Sequence, residues 1–151
     1  MGHPANYTGG TVEFPGILGI GLYRLRELIR NAPMSALIPL MGMMAIDISV
    51  DLASGRYSSV LIDLMIAPAL AYSVGQTAQR SHAGISGPLL FILGAISALG
   101  ASMLLSRGVT MGSGDVLMMG MRHLTVAAYA WAAIATEPPR RREVRFAPVR
   151  V

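Results

Sequence analysis

The sequence predicts an all-α integral membrane protein, with four transmembrane helices preceded by an interfacial amphipathic helix. Three observations predict it. Of 151 residues, 53% are hydrophobic and only 13% charged, where a soluble domain carries about a quarter charged residues. Mean hydropathy is +0.54. The apolar residues gather in four stretches, each close to the ~20 residues that a bilayer core requires. A single membrane domain accounts for the whole length.

Residues 1–16 carry Gly and Pro without a helical period and read as an irregular arm. Met1-Gly2 opens like a myristoylation signal, but Asn6 stands where Ser or Thr is required. Arg24, Arg26 and Glu27 interrupt the next stretch, which excludes a secretory signal. Over 17–30, Ile17, Leu18, Gly21, Leu22, Leu25, Leu28 and Ile29 follow the three-and-four spacing of one helical face. Arg24, Glu27 and Arg30 take the other side. Such a helix lies in the membrane interface, with Arg24, Arg26 and Arg30 toward lipid headgroups.

Asn31-Ala32-Pro33 suits a helix start. The first span covers 34–53, with Pro39 kinking it near its beginning. Ser54-Gly55-Arg56-Tyr57 makes a turn, and the second span covers 58–77 with Pro68 in its middle. A polar loop holds Arg80 and His82. The third span, 86–105, has no charge and Pro88 in its first turn. A Gly-rich loop over 107–114 leads to the fourth span, 115–135, which Glu137-Pro138-Pro139 stops. Residues 136–151 form a basic tail in which Arg140, Arg141 and Arg142 meet headgroups.

All 12 basic residues are arginine, and net charge is +4. This Arg-, Ala- and Gly-rich composition points to a bacterial or phage-encoded protein. Nine arginines flank one side of the four spans, and only Arg56 and Arg107 flank the other. The excess of arginine marks the cytoplasmic side, so both termini are expected there in the cell membrane. Arginine at the ends of apolar stretches fits anionic lipid and gives no reason to expect nucleic acid.

Ionisable residues inside the spans are costly and normally pair with one another. Asp47 and Asp51 lie one helical turn apart in the first span, Asp63 in the second, Arg122 and His123 in the fourth. At ~1.5 Å per residue, Asp47 lies ~9 Å, Asp63 ~8 Å and Arg122 ~12 Å from the outer ends of their spans. The expected arrangement is a buried cluster centred on Asp47 and Arg122, with Asp63 or His123 next to it. Asp51, nearer the surface, is expected to tolerate substitution. The cluster reads as an ion pair that fixes helix register, with an ion or proton site as the alternative.

Met41-Gly42-Met43-Met44 and Met118-Met119-Gly120-Met121 contain the thioethers that copper(I) favours. Methionine also fills irregular apolar gaps, and that is the expectation here, with no metal and no cofactor. Gly94, Ala98 and Ala101 in the third span, and Ala128 and Ala132 in the fourth, form small-residue stripes that let helices approach closely. One stripe serves the bundle and leaves the other for a partner.

There is no cysteine, which removes disulfides, thiolate metal sites and cysteine nucleophiles. No Gly-rich phosphate loop, nucleophile elbow or zinc-type His/Glu spacing occurs, so no catalytic residue is expected. The expectation is a non-enzymatic accessory or structural subunit of a larger membrane assembly, contacting lipid, other membrane subunits or copies of itself. The alternatives are a holin-like permeabilising protein and, behind it, a small proton- or cation-coupled carrier.

Overall fold

A computed structural model describes residues 11–80, 84 and 86–137. It contains five helices in chain order: α1 (Gly16–Asn31), α2 (Pro33–Ala53), α3 (Tyr57–Gln79), α4 (Ser86–Met111) and α5 (Gly114–Ile134). Three of them, α2, α3 and α4, are long and apolar enough to cross a membrane. The fourth expected span, α5, lacks that apolarity because it carries Asp115, Arg122 and His123. The tail arginines Arg140, Arg141 and Arg142 lie outside the described residues.

The chain forms two helical hairpins, α2–α3 and α4–α5, with α1 packed against α2, α3 and α5. Both hairpin turns use the same device. Gly55 (φ 71°) and Gly112 (φ 61°) take the left-handed conformation that side chains disfavour. Around them Arg56 N–H donates to the Asp51 carbonyl at 2.9 Å, and Ser113 N–H to the Gly108 carbonyl at 3.0 Å. These bonds close the helix ends in the Schellman pattern.

α4 runs to Met111, so most of the expected 107–114 loop is helical. The reason lies in packing. Gly108 faces α5 so closely that a Cβ there would stand 2.7 Å from Leu117 Cγ. Gly120 of α5 receives Leu105 in the same way, also at 2.7 Å. Further along, Gly94 sits under Trp131 and Gly100 under His123. Gly94, Ser97, Ala101 and Gly108 thus form a buried stripe that holds α5. Glycine here serves close approach, which outweighs its low helix propensity.

The main hydrophobic cluster lies toward one end of the bundle. Leu22 and Ile29 of α1, Leu40 of α2, Leu70, Val74 and Ala78 of α3, Leu90 of α4, Tyr129, Ala130, Ala132, Ala133 and Ile134 of α5 and the following Ala135 meet there. Tyr129 donates to the Ala36 carbonyl at 2.5 Å, in the turn preceding Pro39. Trp131 Nε1 donates to the Phe91 carbonyl at 3.2 Å, and its ring lies 5.5 Å from Phe14. The 1–16 arm, expected to be irregular, makes a parallel bridge over part of its described length: Val12 N–H donates to the Ile134 carbonyl at 2.9 Å.

α1 departs from its expected faces. Gly19, Leu22, Arg26 and Ile29 are its buried residues, while Ile17, Leu18 and Leu28 point outward. Arg26 was expected at headgroups. Instead its guanidinium donates to the Ala135 carbonyl at 2.5 Å and the Arg80 carbonyl at 2.9 Å, at the C-terminal ends of α5 and α3. A cation there meets carbonyls that have no donor in their own helix and the negative ends of two helix dipoles. Arg26 lies two residues, about 200° around the helix, from Arg24, so the helical turn directs these two to opposite sides.

Candidate functional site

At the end opposite the core, α2, α3 and α5 separate to leave a cleft of about 700 Å³. Its walls are Met43, Ile46, Val50, Ile62, Met118 and Met119, and its charges are Asp47, Asp51, Asp63, Asp115, Arg56 and Arg122. The charges converge because three helices bring them to one level. Asp47 and Asp51 share a face of α2 at i, i+4, and α5 runs antiparallel to α2 and lays Arg122 beside Asp47.

Arg122 Nη1 contacts Asp47 Oδ2 as an ion pair. Side-chain exposures of 25% and 19% place it at the half-buried edge of the cleft and not in a dry interior. Asp51, expected near the surface, is the most buried of the three clustered acids at 8% exposure. Arg56 supplies its counter-charge through an ion pair between Nη2 and Oδ1. The turn at Gly55 produces this contact: it reverses the chain, so the residue that follows folds back over the last turn of α2. Sequence reasoning placed Arg56 in an outer loop and missed its role. The spacing Asp51-x₃-Gly55-Arg56, a Schellman turn ending in a cation, was the available signal.

One carboxylate oxygen from each of Asp47, Asp51 and Asp63 lies within 4.8 Å of the others. Carboxylate oxygens are the ligands that divalent cations take. Here Arg122 and Arg56 already occupy two of the three carboxylates, so the set is a charge network. Asp63 and Asp115 make no ion pair among the described residues.

His123 does not join the cluster. It packs against Gly100 of α4, where a Cβ would stand 3.5 Å from its Nδ1. Consecutive helical residues point about 100° apart, so a helix that aims Arg122 into the cleft turns His123 toward α4. The methionines are dispersed as well: Met43, Met118 and Met119 line the cleft, Met44 packs on the core, and Met41 and Met121 are exposed. Of the small residues, Gly94, Ala101 and Ala132 are buried, and Ala98 and Ala128 are half-buried.

No protein family, curated protein or solved structure matches this chain.

Proposed function

We propose that this protein is a multi-pass membrane protein of four spans, α2 to α5, that serves as a non-enzymatic structural subunit of a larger membrane assembly. The observation that carries the reading is the outward surface of the hairpins. α2 buries only Leu40 and Asp51 among its residues, while Met34, Ile38 and Leu52 face outward. Leu61, Leu64, Met65 and Ile66 of α3 and Leu89, Ile92, Ile96, Leu99 and Met103 of α4 do the same. An apolar surface of that extent requires lipid or a partner to cover it.

α5 qualifies as the fourth span because its charge is matched. Arg122 pairs with Asp47, which removes most of the penalty of an intramembrane arginine. α1 then crosses the cytoplasmic end, with Ile17, Leu18 and Leu28 toward the interface and the exposed Arg24 and Arg30 toward headgroups. The arginine asymmetry orients both termini to the cytoplasm. The engaged carboxylates support a structural role, since Asp47 and Asp51 each already have a guanidinium partner within the fold.

The test combines labelling with size. Gly55→Cys is expected to react with an impermeant reagent from outside, and Ala83→Cys is expected to resist it; the reverse pattern overturns the orientation. After mild detergent extraction the protein is expected to migrate as an assembly larger than one chain. A monomer, or rapid collapse of membrane potential on overexpression, overturns the subunit reading.

A further inference from the structure

Two features at the outer end of the bundle are left unmatched. The cleft carries four carboxylates, Asp47, Asp51, Asp63 and Asp115, against two guanidinium groups, Arg56 and Arg122. On α4, which does not line the cleft, Arg107 is exposed and makes no ion pair among the described residues. The face of α4 that carries Arg107 also carries Ile92, Ile96, Leu99 and Met103, each more than half exposed. Their spacing of three and four puts all five on one stripe, opposite the stripe that holds α5.

The depths agree. Arg107 lies four residues from the outer end of α4, ~6 Å along the axis. Asp115 lies one residue, ~2 Å, and Asp63 six residues, ~9 Å, from the outer ends of their helices. The cleft walls beside these acids are apolar: Ile46, Val50, Ile62, Met118 and Met119. An apolar helix face ending in one cation therefore matches an apolar cleft whose surplus anions bracket that cation in depth. Lipid tails can cover the stripe but bring no cation to Asp63.

We propose that the cleft receives the α4 face of a second copy of this chain, with Arg107 of one copy set against Asp63 and Asp115 of the next. The two surfaces are different parts of the molecule, so the contact is head-to-tail. Each copy offers its cleft to one neighbour and its α4 face to another, which generates a ring or a filament. The proposal rests on the membrane-subunit reading and names the neighbour within it.

The natural chain has no cysteine, so single cysteines report contacts cleanly. Met103→Cys and Ile62→Cys are placed in separate copies, co-expressed, and oxidised in intact membranes. A disulfide-linked dimer is expected from the mixture at least tenfold above either variant alone. Arg107→Asp in the Met103→Cys copy is expected to lower the yield at least tenfold. Adding Asp63→Arg, or Asp115→Arg as a second choice on an exposed position, to the other copy is expected to restore at least half. Met103 and Arg107 are exposed, so their variants leave the bundle intact, and unchanged helix content by circular dichroism checks this. Absence of the mixed dimer, while the extracted protein still migrates as a large assembly, overturns the proposal and assigns the cleft to a different protein or to lipid. A dimer from Met103→Cys alone equal to that from the mixture also overturns it, because it makes the contact symmetric.

Discussion

Asp47 on α2 and Arg122 on α5 form the one ion pair among the described residues that joins the two helical hairpins. It does so at the end where the hairpins separate around the cleft, away from the apolar core. The pair therefore holds together the part of the bundle that packing holds least.

Breaking this pair from either side strands a charge. Asp47→Asn and Arg122→Gln are each expected to destabilise the protein by about 1–3 kcal/mol, less than a fully buried pair because both side chains retain some exposure. The double variant is expected to recover part of the loss. Thermal unfolding in detergent, run as a double-mutant cycle, measures the coupling. A double variant no better than the worse single one removes the pair's structural role.

Arg56→Ala leaves Asp51 buried without its cation, whereas Asp51→Asn keeps the shape and removes the charge. Arg56→Ala is expected to cost about 1–3 kcal/mol, and adding Asp51→Asn to it is expected to recover most of that. Equal stability of Arg56→Ala and the natural protein would show the pair to be solvated and weak.

At the core end, Arg26→Met removes the donor shared by the Ala135 and Arg80 carbonyls. The expected cost is about 1–3 kcal/mol, since charged hydrogen bonds are lost and one buried acceptor, the Ala135 carbonyl, remains. Burial already pushes the Arg26 guanidinium below its ordinary value, yet it stays cationic at any physiological pH. Stability of the natural protein should therefore show no titration at this site. Limited proteolysis of α1 reads the loss, and an undiminished α1 in Arg26→Met would contradict the anchoring role.

The tight helix contact gives a positional test. Gly108→Ala meets Leu117 and is expected to cost about 1–3 kcal/mol through overpacking. Gly42→Ala meets nothing within 4 Å and is expected to be neutral or slightly stabilising. Similar melting temperatures for the two variants would mean that α4 and α5 are not in close contact.

What the sequence by itself determined follows from local pattern. Runs of apolar residues bounded by glycine, proline and charge set five helices, and their bounds lie within two residues of expectation except at the end of α4. There Arg107 and Gly108 look like loop residues, and only the partner helix explains why Gly108 remains helical: its missing side chain admits Leu117. The expected meeting of Asp47, Asp63 and Arg122 was legible because depth along a helix is proportional to residue count.

Direction around the axis was decided by tertiary structure. His123 and Arg122 share a depth, and nothing in the chain says which of them faces the cleft until α4 is packed on α5. Arg26 sits among surface-like charges in the sequence, but the fold turns it toward two helix C-termini that lie 54 and 109 residues away. Asp51 is buried because the left-handed Gly55 returns Arg56 over it. Depth is a one-dimensional quantity that the chain encodes directly, whereas azimuth depends on which neighbours a helix meets, and that is fixed only when all five pack together.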